Sequence, residues 1–340
     1  MPGAITIRDV AAAAGVSVAT VSRALNNRSN VAPEVRTHVL AIARELNYVP
    51  HAGASSLSSR KTNMVGIVLP ALHGEFISEF NRGVEMVTRE RGFHVLLSGY
   101  HDSFEDQLEI LRTIRSRVDG VIVMSPFDRQ SAAYRELVDL NKPVVLVNAS
   151  VPVAELVQIG VDNFGGALTM MEHLKAQGYS RIAFAAGPEG NSEASERRRG
   201  YLEAVAHSGA DVEIFEGDFR EVSGYAVGQE IIEKNADRPA ERRIDAVFCV
   251  SDMVAHGVKR AFQERGNADI AVAGFDDIPM AEHMFGGLTS MATDIFSVGK
   301  RAAELVSHMI RDGNRFVPDE IIRPRLTVRK STAPKIRNSP

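Results

Sequence analysis

Apolar positions along this chain follow one period near its start and another beyond it. Ile7–Ala13 reads as a helix that Thr6 can cap. Val10–Ala14 is almost all alanine, so another helix can approach it closely. Gly15 then supplies the permissive φ of a tight turn. Ser17 caps a second helix, Val18–Leu25, with Val21 and Leu25 on one face. A third helix follows, with Pro33 in its first turn and Val35, Val39, Ile42 and Leu46 as its buried stripe. Ala11, Gly15 and Val21 have the spacing of a helix-turn-helix: small residue, turn glycine, buried apolar residue. By spacing alone a generic three-helix bundle remains the alternative.

After residue 61 the pattern becomes strand–helix alternation. MVGIVLP, FHVLLSG, DGVIVMS and PVVLVN read as near-continuous apolar strands, with EFNRGVEMVTRERG as a helix burying Phe80, Val84 and Val87. A second series follows, RIAFAAG, DAVFCVS and DIAVAGF, separated by GGALTMMEHLKAQG, RRRGYLEAVAHSG and DMVAHGVKRAFQERG. Such alternation predicts parallel sheets covered on both faces, and two series predict two α/β lobes. Ligands of such sheets gather at the carboxyl ends of strands, so the cleft between lobes is the expected site.

The 340 residues suit two or three units, with a net charge of −4. That charge is unevenly placed. Residues 1–61 carry seven Lys/Arg and three acids, a balance of +4, which leaves −8 for the rest. A basic head on an acidic body confines phosphate attraction to one end. Cys249, the one cysteine, lies in the apolar run AVFCV and reads as core filler in a reducing compartment. MPGAITIRDV lacks the charged and apolar regions of a signal peptide, and no apolar run is long enough to span a bilayer. A cytoplasmic protein with no membrane contact is expected. GxxxxGK[ST], HExxH, GxSxG and CxxC are all absent, and the ten histidines show no metal-ligand spacing. No catalysis, metal or cofactor is expected.

The string TIRDVAAAAGVSVATVSRALNN, followed by VAPEVRTHVLAIARELNYVP, closely resembles the headpiece of the lactose/galactose-repressor (LacI/GalR) family. HAGASSLSSRKTNMVGIVLP resembles that family's hinge. Farther on, VDNFGGA, RIAFAAGP, Arg197–Gly200–Tyr201 in SERRRGY, SDMVAHG and GFDDIP resemble its periplasmic-binding-protein-like body. The resemblance implies an all-α headpiece at 4–49, a hinge at 50–61, a two-lobed α/β body at 62–330 and a polar tail at 331–340. Interlobe crossings are implied near 161, 291 and 320. Lobe 1 would then hold about 62–160 plus 292–319, and lobe 2 about 162–290 plus 320–330.

For DNA, the resemblance implies contacts from Thr6, Ser17, Val18, Ala19, Thr20, Ser22, Arg23, Asn26, Asn30, His51, Ala54 and Leu57. Short or hydrogen-bonding side chains suit base edges and phosphates. Val18 and Ala19 occupy the specificity positions, and Arg23 is expected at a base. Arg8, Arg28 and Arg36 are expected at phosphates. Leu57 stands at the place of a leucine that wedges open the minor groove. Gly53, where the family has Ala or Val, weakens the hinge helix by about 1 kcal/mol relative to Ala.

For a small ligand, the resemblance points to Phe76, Ser125, Asn148, Arg197, Phe219, Asp252 and Asp276. Arg197 is a fork-shaped donor, the carboxylates accept from hydroxyls, and Phe219 can stack on a sugar ring. The plain readings of the same residues are a turn cap for Asp276, a helix cap for Asp252, core for the two Phe and surface for Arg197. Ser251 stands where the family commonly has Asn, and Thr293 replaces a more usual Gln. The expectation is a dimeric repressor of carbohydrate-utilisation genes, binding a palindromic double-stranded operator under control of a sugar-like effector. The alternatives are a purine-type corepressor in the same fold, and a sugar-binding receptor with no gene-regulatory role.

Overall fold

The computed structural model describes residues 5–25, 30–48, 61–72, 74–99, 104–124, 137–149, 156–206, 211–267, 269–313 and 318–335. Asn26, Arg28, His51, Gly53, Ala54, Leu57 and Ser125 lie outside these residues. The chain divides into two compact units, 1–62 and 63–340.

The first unit holds α1 (Ile7–Ala14), α2 (Val18–Leu25) and α3 (Pro33–Glu45). The Asp9 carboxylate accepts from both the Thr6 amide and the Thr6 hydroxyl at 2.7 Å, which fastens the start of α1. Those two bonds hold the Asp9 carboxyl below its usual range. Gly15 closes α1 at φ +66, and the Val16 amide donates back to Ala11 at 3.1 Å. Ser17 Oγ accepts from the Thr20 amide at the start of α2. The core is Val10, Ala11, Ala14, Val21, Ala24, Val39 and Ala43. Four of these seven are alanines, which let short helices pack tightly. Val35, Ile42 and Leu46, expected to be buried, are only half-buried, and Ala43 lies deeper.

The second unit contains two six-stranded sheets. The first has the order β11-β5-β4-β3-β1-β2, from Glu320–Ile322, Val157–Val161, Val144–Val147, Gly120–Met124, Met64–Leu69 and His94–Gly99. All its pairings are parallel. Alternate residues face opposite ways. Val65, Ile67, Ile122 and Val145 pack under α4 (Glu75–Glu90) and the later helix α10 (Ile295–Asp312). Val68, Val121, Val123 and Leu146 pack on the other face, with Leu111 and Ile114 of α5 (Phe104–Ile114).

The second sheet has the order β12-β10-β9-β8-β6-β7, from Arg325–Thr327, Thr289–Ala292, Ala271–Asp276, Ala246–Cys249, Ile182–Ala185 and Ile214–Phe215. Only its edge pairing, β10 with β12, is antiparallel. Four helices belong to this lobe: α6 (Asn163–Ala176), α7 (Ser192–Ala206), α8 (Glu221–Ala236) and α9 (Asp252–Glu264). Cys249 is fully buried in β8.

Each lobe is braced by a very close helix pair. In lobe 1, a Cβ on Gly83 of α4 would stand 2.1 Å from the Phe296 carbonyl oxygen, and one on Gly299 of α10 would stand 2.2 Å from that of Phe80. In lobe 2, the corresponding distances are 2.2 Å from Gly224 of α8 to the Val254 oxygen and 2.0 Å from Gly257 of α9 to the Glu221 oxygen.

The chain passes between sheets after β5, after β10 and after β11. The third passage corrects an expectation. β11 stays in the first sheet and β12 enters the second, so the crossing falls at Arg323–Pro324 and residues 320–322 belong to lobe 1. The tail expectation is also corrected at its start, because residues 331–335 are docked on lobe 2. Thr332 is fully buried, with its hydroxyl 2.8 Å from His173 Nε2 and 2.7 Å from the Thr289 hydroxyl. Tyr179 donates to the Ala333 carbonyl, and Lys335 pairs with Asp245 at 2.7 Å. No helix among the described residues is long and apolar enough to cross a membrane.

Candidate DNA-binding face and effector site

α2 turns Val21 and Ala24 inward and leaves Ser17, Val18, Ala19 and Arg23 exposed. Val18 is 42% exposed. Thr20 and Ser22 are half-buried at the edge of the face, and Asn30 is exposed beyond it. The face carries one cation, short hydroxyls and small apolar groups. That set can read the donors, acceptors and methyl groups of a major groove. Thr6 spends its hydroxyl on Asp9, so its amide and side chain are already engaged.

Several ligand candidates meet at the carboxyl ends of the body's strands. Arg197, on the first turns of α7, is 2% exposed. Its Nε donates to Asn163 Oδ1 at 2.8 Å and its Nη1 to the Val250 carbonyl at 2.6 Å. Nη2 faces Asp276 Oδ1 at 3.2 Å and Glu193 Oε1 at 3.6 Å. The guanidinium carbon lies over the Phe275 ring, 3.8 Å from its centroid. A planar, forked, permanently charged group is the one side chain that satisfies all these partners together.

From the other lobe comes Asn148, just past β4, in the left-handed region at φ +57. Its Nδ2 donates to Glu193 Oε1 at 2.8 Å. Its Oδ1 is buried and has no hydrogen-bond partner. Asp276 Oδ1, although within ion-pair distance of Arg197, is also not aligned for a hydrogen bond. A second link between lobes runs from the Met280 amide to Glu75 Oε2 at 2.9 Å. Phe76 packs against the cores of both lobes, while Phe219 leans over the end of β6, its Cζ 3.4 Å from where a Gly187 Cβ would stand.

Asp252 departs from its expected role. It is fully buried, with Oδ1 accepting from Ser290 Oγ at 2.6 Å and Oδ2 from the Ile278 amide at 2.9 Å. Both oxygens brace the turn after β9, and neither is offered to the cleft. Nor does it cap α9, since Ser251 does so through the Val254 amide. Burial, reinforced by the charge of Asp276, pushes the Asp252 carboxyl well above the usual carboxylate range. Glu193, Asn163 and Phe275 were not anticipated. Glu193 had a visible signal, since it precedes Arg197 by four residues and shares its helix face.

Burial also raises Glu193, against the pull of Arg197. Asp276 is pushed up to about 7, chiefly by burial, with Arg197 opposing and Glu193 reinforcing. Between its ordinary value near 3.8 and about 7, Asp276 therefore holds its proton in the folded protein and releases it in the unfolded chain. Stability from this group is complete at low pH and is lost as pH rises through about 7. The melting temperature is expected to be lower at about pH 8 than at about pH 6, and Asp276→Asn is expected to narrow that gap. An unchanged gap in the variant, measured by calorimetry, would assign the slope to other groups.

Asp276 and its neighbour also hold two of the crossings. Asp276 has φ +105 and Asp277 φ +53, a strained pair costing about 1–3 kcal/mol per residue. The Asp276 carbonyl accepts from Thr293, on the second crossing, at 3.3 Å. The Asp277 carboxylate accepts from Thr327 Oγ1 at 3.0 Å and Arg329 Nη1 at 2.6 Å, just past the third. Elsewhere, a cavity of about 310 Å³ between β2 and α5 is lined by Ser98, Asp106, Glu109 and Thr113, and holds none of the expected ligand residues. Among the described residues no group of His, Cys, Asp and Glu is placed to hold a metal.

Comparison with known proteins agrees with both halves of this description. A model described as "Bacterial regulatory proteins, lacI family" matches residues 6–51, and one described as "Periplasmic binding protein-like domain" matches residues 171–332. The chain is 33% identical over 313 residues to the ribose operon repressor of Halalkalibacterium halodurans, covering 90% of each. This chain belongs to the lacI family. It is also 30% identical over 334 residues to the transcriptional repressor CytR of Escherichia coli, covering 94% of this chain and 95% of that one. Among solved structures, the lac repressor dimer bound to operator and an anti-inducer matches at TM-score 0.85 and 27% identity, over 97% of this chain and 100% of that one. A CelR–cellobiose complex matches at TM-score 0.69 and 29% identity, over 96% and 99%. This lacI-family chain is a DNA-binding transcription regulator, and its relatives are regulators, not enzymes.

Proposed function

We propose that this regulator is a repressor of carbohydrate-utilisation genes, binding a palindromic operator as a dimer and released or engaged by a sugar-like effector held between its lobes. The observation that carries the effector reading is the Arg197 cluster. Asn148 from one lobe and Glu193, Arg197 and Asp276 from the other meet there, with acceptor oxygens left unpaired. Buried acceptors without partners are costly, and ligand hydroxyls relieve that cost. Phe76 and Phe219 offer apolar faces nearby, as a sugar ring requires. The relatives named for a ribose operon and a cellobiose complex support a carbohydrate.

The operator reading rests on the exposed face of α2. Val18 and Ala19 would select bases, Arg23 would pair with one, and Arg8 and Arg36 would meet phosphates. A change in lobe angle would reach the headpieces through the crossings that Asp276 and Asp277 grip. DNA selected in vitro by the purified protein tests the palindrome, and its affinity with and without candidate sugars tests the coupling and its sign. Arg23→Ala is expected to cost about 1–3 kcal/mol on the selected operator and much less on random DNA. Equal losses on both, by fluorescence anisotropy, would remove Arg23 from base recognition. Stabilisation by purines alone in a thermal-shift screen would replace the sugar reading with the corepressor one.

A further inference from the structure

Acidic side chains outnumber basic ones around Arg197. Two carboxylates, Glu193 and Asp276, face one guanidinium, and among the described residues Arg197 is the one cation paired with either. The nearby Arg329 does not offset them. Asp252 and Asp277 bring further carboxyls to the same turn, and Arg329 is committed to Asp277 and the Leu288 carbonyl. Arg197 is already closely engaged: its Nε and Nη1 donate to Asn163 and Val250, and its Nη2 faces Asp276 and Glu193.

What the site lacks is donors. Asn148 is 4% exposed, its Nδ2 is used on Glu193, and its Oδ1 is left with no partner. Asp276 Oδ1 has Arg197 Nη2 at 3.2 Å but no aligned hydrogen bond. Both unmet atoms accept hydrogen bonds, and a ligand satisfies them with hydroxyl or ammonium hydrogens. A phosphate or carboxylate placed there would bring more acceptors to two buried carboxyls that already share a single guanidinium. Resting on the effector reading above, we infer that Glu193 makes this site exclude anions, so that the effector is a donor-rich molecule without negative charge. Burial raises both carboxyls against the pull of Arg197, and Glu193 adds to the rise at Asp276.

Calorimetric titration of the full chain with matched pairs tests this. The pairs are ribose and ribose phosphate, glucose and gluconate, and adenosine and adenosine monophosphate, with glucosamine as an amine-bearing probe. In whichever pair binds, the neutral member is expected to bind at least about tenfold more tightly than the anionic one. Glu193→Gln keeps an acceptor for Asn148 and removes the charge. It is expected to narrow that gap by about tenfold through tighter binding of the anion. A purely structural role for Glu193 would instead weaken both members alike, and that result overturns the inference. So does an anion that binds the parent protein as tightly as its neutral partner. The sugar reading fails separately, if ribose, glucose and glucosamine give no heat while adenosine binds. The adenosine pair then still decides the charge rule. A panel in which nothing binds overturns both.

Discussion

Gly257→Val is expected to unfold the second lobe. A Cβ at this position would stand 2.0 Å from the Glu221 carbonyl oxygen and 2.5 Å from the Tyr225 amide nitrogen, both backbone atoms. No rotamer change relieves a collision with backbone, so α8 and α9 must separate. The buried face they share, including Val227, Ile231, Val258 and Phe262, would open with them. Overpacking a well-fitted contact costs about 1–3 kcal/mol, and a backbone clash falls at or beyond the top of that range. Gly160→Ala is the natural control, since a Cβ there meets nothing within 4 Å. Urea unfolding of the two variants should give a parent-like midpoint for Gly160→Ala and a large drop for Gly257→Val. A parent-like Gly257→Val protein would mean that the two helices do not approach as described.

Arg197→Met should abolish the effector response and destabilise the body together. Methionine fills the volume but leaves Asn163 Oδ1 and the Val250 carbonyl without their donor, and Glu193 and Asp276 without their cation. Removing one partner from a buried ion pair costs about 3–5 kcal/mol. The orphaned carboxyls would lessen that loss by binding protons, so the penalty should shrink at low pH. Arg197→Lys should not rescue, because a point charge on a flexible stem cannot reach four partners and also sit over Phe275 as the guanidinium does. The headpiece forms a separate compact unit, so weak binding to random DNA should survive in both variants. Thermal unfolding with and without the effector, beside DNA binding, reads all three effects. A Met variant still stabilised by the effector would remove Arg197 from the site.

The substitutions also mark where a sequence reading holds and where it stops. In the headpiece, Thr6, Gly15, Ser17 and Pro33 act through hydrogen bonds and dihedral angles within a few residues, so their roles were visible in order along the chain. The long apolar strands were visible for the same reason, since a strand buried on both faces needs apolar residues at every position. The three-residue strands β11 and β12 were not, because so short a segment carries no period. Their sheets are chosen by the turn at Arg323–Pro324 and by partners more than thirty residues away, such as Met291 for Leu326. The docking of Thr332 and Lys335 depends in the same way on His173 and Asp245, far back in the chain.

The effector site divides along the same line. Sequence by itself determined the headpiece, the two-lobed α/β body, and the presence of Arg197, Asn148 and Asp276 at strand and helix ends. Only the tertiary structure decided that Asp252 turns inward to Ser290 and Ile278, and that Glu193 stands between Asn148 and Arg197. The physical reason is that periodicity reports which way a side chain leaves its own element. What that side chain then meets is set by segments the chain brings back from the other lobe, and no local pattern encodes that meeting.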